Sequence, residues 1–264
     1  MNGDAIVLDA NHYWDIMEAS EPEIWPGLTP WRDRWGSFGS IPDATGYGAS
    51  VARTRVPAED LERFWDEITR HYPGELPRFT VGPRETPGLD RWLQSHGYHR
   101  EMSETVLVLN REAFHHVGPA SDFVHEVADV DDLRQVLALD HLVFRDPIPD
   151  PNGLARELAR LGSHRRLFCI RSDEGIAKAA GGLTHFSGWS LLWGGETHPA
   201  FRRQGLYHAV LAARMDVIKR TNATFAAVYA NNETSMPILR KAGFEPIGTI
   251  EVWKPADARS GLPT

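Results

Sequence analysis

The stretch THPAFRRQGLYHAVL (residues 197–211) places two arginines, a glutamine and a glycine just ahead of a helical pattern. A helix N-terminus is already electropositive, so cations there are unfavourable unless something negative arrives. Gly205 has no Cβ, and a ligand can approach its backbone closely. The N–H groups of about residues 203–207 leave an unsatisfied helix start. Together with the helix dipole they form an anion cradle. Arg202 and Arg203 add charge and donors suited to phosphate oxygens. Two negative groups in series, a pyrophosphate, fit this arrangement. No Gly-x-x-x-x-Gly-Lys-Ser/Thr run is present, and no Gly-x-Gly-x-x-Gly follows a strand, which argues against P-loop nucleotides and the usual dinucleotide fingerprint.

The elements that must hold this loop are legible around it. An apolar strand pattern over 189–197 forms a hairpin with 176–186 through Ser187–Gly188. A helix runs to about Arg220 with Leu206, Val210, Ala213 and Val217 as a buried stripe. Residues 224–230 read as a strand, 232–244 as a helix with a glycine stop, and 247–253 as the last strand. Strand, loop, helix and strand make a βαβ unit. Upstream lie a strand at 122–127, helices at 129–144 and 153–161, and a strand at 165–172. Earlier still, 48–56 reads as a strand, 57–72 and 88–97 as helices, and 104–109 as a strand. Residues 21–46 read as irregular, with Trp25, Trp31 and Trp35 packing a small core or lining a pocket. His115 and His116 fall in the crossover 110–121 as solvated linker residues, since adjacent side chains do not converge on a metal.

A weak internal echo links the halves. WLQSHGYHREMSETV (92–106) has the shape of ILRKAGFEPIGTIEV (238–252), with Gly97–Tyr98 against Gly243–Phe244. Upstream, RVPAEDLERF (55–64) parallels THPAFRRQGLY (197–207). Two copies of one fold account for this, although helix–Gly–aromatic–strand is also a common helix ending.

The bulk numbers permit such a layout. The 264 residues suffice for two small domains, with 42% hydrophobic and 24% charged residues. The net charge of −8 opposes nucleic-acid binding, and there is no sustained basic run. The single cysteine, Cys169, sits in the apolar run LFCI and reads as a small buried hydrophobe; it makes no internal disulfide, which favours a reducing compartment. The N-terminal MNGDAIVLDANHYW lacks a signal-peptide pattern and no apolar run is long enough to span a bilayer, so a cytoplasmic protein without a membrane partner is expected.

From about 123 to 255 the chain resembles the GNAT superfamily of acyl-CoA N-acyltransferases. The likeness rests on the Gly181–Gly182 pair, a strand, Pro199, the Arg202–Arg203–Gln204–Gly205–Leu206–Tyr207 loop, a helix, a strand, then Asn232, Ser235 and Lys241–Ala242–Gly243–Phe244. The resemblance implies an α+β fold, mixed α/β, with a mostly antiparallel central sheet flanked by helices. With the echo, it implies two similar domains in tandem: a degenerate one at 1–118 without a cofactor loop, and a catalytic one at 119–264. It further implies acetyl-CoA or another acyl-CoA as co-substrate, no metal, and a small-molecule amine as acceptor; a homodimer is among the assemblies it allows.

The implied cofactor residues are Gly195, Thr197, Arg202, Arg203, Gln204, Gly205, Leu206, Tyr207, Asn232 and Ser235. The splayed gap between 193–197 and 224–230 takes the pantetheine arm, and Gly194–Gly195 allow close approach or a bulge. Two departures stand out. Tyr207 replaces the family's Gly or Ala, so its ring must point away from the phosphate. The family's tyrosine acid falls at Leu239, which leaves Tyr229 and Ser235 as substitutes. Glu196 is the candidate base, acting through water, or else a cap for the loop. His198 and His185 are alternatives. Asp140 and His141 either border the acceptor pocket or lie on a solvated helix face. Trp189 and Trp193 line the pocket or belong to the core. In the first half, AEDL (58–61) stands where the second has RRQG, and Glu59 and Asp60 would repel a pyrophosphate. A non-catalytic acyl-CoA binder, and an enzyme of this fold performing O-acylation or decarboxylation, are the rival readings.

Overall fold

The computed structural model of the chain describes residues 9–20, 31–33, 36–40, 49–73 and 76–256. The chain divides into two compact units, each discontinuous: Met1–Pro26 with Val106–Gly248, and Gly27–Thr105 with Thr249–Thr264. Neither unit is therefore 1–118 or 119–264 alone.

The larger unit is a mixed sheet between helices, as the sequence led us to expect. Its strands are the end of β5 (Tyr98–Asn110), β6 (His125–Glu126), β7 (Arg165–Arg171), β8 (Ala177–Phe186), β9 (Trp189–Thr197) and β10 (Phe225–Asn231). They lie in the order β5-β10-β9-β8-β7-β6. The pairs from β6 to β9 are antiparallel, and β9 and β10 are parallel. A parallel pair requires a crossover, which the helix Leu206–Lys219 provides. This helix packs Val210, Leu211, Ala213 and Met215 with Phe168, Ile170, Ala179 and Leu183 on one face of the sheet. The helices Val130–Phe144 and Pro151–Arg160 cover the other face, with Leu133, Val136, Leu139 and Leu154 against Leu167, Cys169, Ala177 and Ala180. Alternate residues of β7 thus enter opposite cores, which is why LFCI is apolar throughout. Asp129 caps the helix Val130–Phe144 by accepting from the N–H groups of Asp131 and Asp132 at 2.9 and 2.8 Å. The helix Ala10–Ala19 joins this unit: Tyr13 Oη donates to Asn110 Oδ1 at 2.6 Å, and Trp189 Nε1 donates to Ser20 Oγ at 2.9 Å.

The smaller unit orders β1 (Trp31–Asp33), β2 (Gly36–Ser40), β3 (Ala49–Ala52), β4 (Arg78–Val81) and the end of β11 (Glu245–Pro255) side by side. β2 and β3 are antiparallel, β3 and β4 parallel, and β4 and β11 antiparallel. Phe64 and Ile68 of the helix Leu61–His71 pack on Val51, Phe79 and Trp253. β8-β9-helix-β10-helix-β11 and β2-β3-helix-β4-helix-β5 therefore repeat one sequence of elements, with the same senses of pairing. Each unit includes part of the last strand of the other half of the sequence. Gly97 and Gly243, the echoed pair, both adopt left-handed backbone, with φ of +79° and +95°.

Several local expectations change. Residues 31–33 and 36–40, expected to be irregular, form a hairpin with Trp31 opposite Phe38; the lengths of these strands are too short for an alternation to show. The expected strand 48–56 is confined to Ala49–Ala52, because Arg53 turns the chain with φ +58°. The short strand Arg78–Val81 is an addition. The expected helix 232–244 covers only Met236–Lys241. Asn231 Oδ1 accepts from the N–H groups of Glu233 and Thr234 at 3.0 and 3.1 Å, which satisfies them in a turn, and Pro237 fits only a first helical turn. Trp25 and Trp35 lie outside the described residues. Among the described residues no helix is long and apolar enough to cross a membrane.

Candidate functional site

The segment read as an anion cradle follows the end of β9. His198 Nδ1 is 3.2 Å from the N–H of Ala200 and steadies the turn at Pro199, a structural task that leaves the ring little scope as a base. Arg202 Nε donates to Thr197 O at 3.4 Å. Arg203 and Gly205 both have left-handed backbone, with φ of +64° and +77°. For a bulky residue such as Arg203 this costs about 1–2 kcal/mol. The first N–H taken up beyond Gly205 within the helix is that of Ala209, by Gly205 O at 3.0 Å. Residues Arg202–Gly205 are exposed, and a Cβ on Gly205 would meet nothing within 4 Å. The glycine is there for its backbone conformation and open access, not for packing.

Behind the cradle the sheet is deformed. Gly182 pairs with Trp193 and Ala180 with Glu196, so Gly194 and Gly195 both face Gly181 as a β-bulge, with Gly194 at φ +57°. On the other side, the parallel register of β9 with β10 runs from Trp189–Phe225 to Leu192–Val228. β9 continues to Thr197 and β10 to Asn231. The pairing thus stops before either strand does, and the backbone of 193–197 lies beyond it. The Thr197 Oγ1 there is buried and has no hydrogen-bond partner.

Glu196 is 3% exposed, and neither of its carboxyl oxygens accepts from an N–H or hydroxyl. It therefore does not cap the loop. Its neighbour is the carboxyl of Asp140 on the helix Val130–Phe144. Two carboxyl groups held close together out of water favour a shared proton, because both cannot ionise without repulsion. Burial, then the Asp140 contact, then the Asp146 charge hold Glu196 well above the usual carboxylate range. Burial also raises Asp140, with Asp146 adding to it. Asp140 is half-buried, which overturns the solvated-face reading, while His141 is exposed with Nδ1 2.8 Å from Asp146 O. The signal for Asp140 was its place on a helix bordering the site; its contact with a residue 56 positions away had no local sign.

The remaining candidates divide. The ring of Tyr207 lies against Gly195, where a Cβ would be 3.0 Å from Tyr207 Cε2, and its hydroxyl bonds to buried Arg214. It does point away from the cradle. Leu206 packs on the core. Ser235 Oγ accepts from Asn231 N–H at 3.0 Å, and the exposed Asn232 lies in the same turn. Tyr229 is half-buried on β10, and Leu239 is fully buried. His185 Nδ1 is 2.5 Å from Ser190 Oγ on the paired strand, away from the cradle end of β9. Trp189 is core, stacked between Phe186 and Phe225. Trp193 lies over Gly182, with Arg165 4.3 Å from its ring centre.

Cys169 is buried as expected, but its Sγ is 3.1 Å from His125 Nε2, which is 3.5 Å from Asp132 Oδ1. Arg171 already pairs with that oxygen at 2.5 Å, and burial pushes the thiol up to about 12. This describes a polar knot with an unreactive thiol.

The smaller unit differs at the corresponding place. Thr86, after β4, reaches across to the segment after β3: its N–H donates to Thr54 O at 2.8 Å, and its hydroxyl to Thr54 O and Val56 O at 3.1 and 2.7 Å. The segments beyond the parallel pair are thus tied to each other. The adjoining helical segment begins with Glu59 and Asp60.

No protein-family model and no curated protein matches the chain. Solved structures do. A GCN5-related N-acetyltransferase from Kribbella flavida matches with a TM-score of 0.66 at 17% identity, over 98% of this chain and 100% of that one. A functionally unknown conserved protein from Staphylococcus epidermidis matches at 0.64 and 11%, over 88% and 96%. A tandem GNAT protein from the clavulanic acid biosynthesis pathway matches at 0.57 and 18%, over 95% and 98%. Identities this low speak to architecture, and on that ground the chain has the fold of the GNAT acetyltransferases over nearly its whole length.

Proposed function

We propose that the protein is an acyl-CoA-dependent N-acyltransferase, with acetyl-CoA as the donor and an amine of a small molecule as the acceptor. The observation that carries this reading is the end of β9 beyond Leu192–Val228, which no longer pairs with β10, carries the bulge and buried Glu196, and runs on to the exposed helix start. The backbone N–H groups at the helix start, with Arg202 and Arg203, would hold the pyrophosphate. The pantetheine would lie along Trp193–Thr197 like an added strand. The amine nitrogen attacks the thioester carbon, a C–N bond forms, the C–S bond breaks, and the departing CoA thiolate takes up the proton that the nitrogen sheds as the amide forms. One proton of the incoming ammonium passes to the Asp140–Glu196 pair once that pair has released its shared proton. Ser235 is committed to its turn, so this reading gives it no acid role, and none is assigned to Tyr229.

The repeated element order supports a tandem arrangement in which only the larger unit takes acyl-CoA. Thr86 fills the equivalent slot in the smaller unit, in keeping with a degenerate partner. The test is calorimetric titration with acetyl-CoA of the wild type beside Gly205→Glu. Saturable binding lost in the variant supports the reading, and absence of wild-type binding ends it. One observation favours a second reading, a non-catalytic acyl-CoA binder: buried Leu239 occupies the place of the resemblance's tyrosine acid. CoA release against a panel of amines separates the two.

A further inference from the structure

Arg214 is a cation at the centre of the larger unit. It is 1% exposed, on the helix Leu206–Lys219. Burying a guanidinium is costly unless its donors and charge are answered. Its Nε donates to Val210 O at 3.4 Å, and its Nη1 to Gly182 O and Trp193 O, each at 3.3 Å. Its remaining partner is the Tyr207 hydroxyl; no carboxylate among the described residues acts on it.

The glycines nearby make room for this group. A Cβ on Gly181 would lie 2.9 Å from Arg214 Cζ, and one on Gly195 would lie 3.4 Å from Nη2 and 3.2 Å from Tyr207 Oη. The two carbonyls that Nη1 takes belong to Gly182 and Trp193, the paired residues at the edge of the bulge. With the Trp193 carbonyl turned to Arg214, planarity of the trans peptide directs the Gly194 N–H the opposite way. The orientation of the bulge backbone is thus fixed from the helix side.

We propose that Arg214 is a positioning residue: it locks the bulge of β9 through the Gly182 and Trp193 carbonyls, with Tyr207 as a brace, and so sets the backbone of 193–196 that borders the acyl-CoA gap. The role in binding rests on the acyl-CoA reading above. It also accounts for a tyrosine at 207, where the resemblance calls for a small residue.

The test compares Arg214→Met, Arg214→Lys and Tyr207→Phe with the full-length wild type. Acetyl-CoA affinity and amide hydrogen exchange are measured on each. Arg214→Met should weaken acetyl-CoA about tenfold or more and speed exchange at 193–197 selectively. Arg214→Lys keeps the charge but not the fork and should fall between; Tyr207→Phe should show a smaller change of the same kind. Wild-type affinity and wild-type exchange at 193–197 in a folded Arg214→Met overturn the proposal. Faster exchange spread evenly over the unit also overturns it, as a merely structural effect. Should Arg214→Met fail to fold, Arg214→Lys decides by the same two readouts. Should the wild type not bind acetyl-CoA, selective exchange at 193–197 still supports the lock, and the acyl-CoA reading alone falls.

Discussion

The two units meet the same local problem with opposite answers. Each has a parallel strand pair that ends before a helix and a second loop. In the larger unit, β9 bulges at Gly194–Gly195, parts from β10 after Leu192–Val228, and leaves a gap beside an exposed helix start. In the smaller unit, Thr86 spans the corresponding space with three hydrogen bonds, and acids occupy the start of the helical segment. A gap of unpaired backbone costs free energy unless water or a ligand answers it. Closing it with one threonine is the stable solution, and the open form is the one retained next to Arg202, Arg203 and Gly205. Shared topology therefore does not carry a site. The proposed site rests on a bulge, a left-handed glycine and the lack of a residue such as Thr86 beyond the parallel pair.

Four changes would break or sharpen this contrast. The largest effect is expected from Gly205→Glu, which adds bulk at a left-handed position and a negative charge in the cradle. Acetyl-CoA affinity should fall about 100-fold or more in calorimetry. Retained affinity would mean that the open gap is not the donor site.

Glu196→Gln should lower turnover about 10²–10⁴-fold with donor affinity little changed, as read by CoA release. The pH dependence follows from the raised carboxyl pair. Wild-type turnover should rise with pH as the pair releases its shared proton, and removing one member should move that limb to lower pH. Stability carries the opposite sign. A carboxyl raised in the folded state above its ordinary 4.5 binds more protons folded than unfolded. Its contribution is complete below the unfolded value and is lost as pH rises towards the folded one. Denaturant melts of Glu196→Gln should therefore show a weaker decline from acid to neutral pH than the wild type.

Thr86→Val removes the hydroxyl bonds of the stitch and leaves the Thr86 N–H on Thr54 O. It should cost about 1–3 kcal/mol of stability, since two buried carbonyls lose their hydroxyl partner, while acetyl-CoA binding to the chain stays as it was. A second bound acetyl-CoA would show that the stitch alone had closed that unit. The smallest effect is expected from exchanging Ala58–Glu59–Asp60 for Arg-Arg-Gln. Stoichiometry should remain one per chain, because the gap behind the new cations is still shut.

The legible part of this molecule was the part with local causes. Asp129 before an acidic first turn, Gly97 and Gly243 after helices, and the apolar run LFCI each act within a few residues, and the structure places them accordingly. The end of the β10 loop was misread as helix because the side-chain bonds of Asn231 compete with the helix pattern over the same residues. The hairpin at 31–40 offered strands of three and five residues, too short to show a period.

By itself, the sequence determined the cradle: the cations, the glycine and the following apolar stripe lie within one turn and one helix, and their physics is local. It also determined the echo between halves. Tertiary structure alone decided the rest. Asp140 meets Glu196, Arg214 reaches the Gly182 and Trp193 carbonyls, and Thr86 closes the smaller unit's gap across 30 or 32 positions of chain. Such contacts join elements whose spacing is set by the packing of whole helices on a sheet. A buried charge or proton is tolerated only where that packing supplies its partner, and no window of sequence contains both.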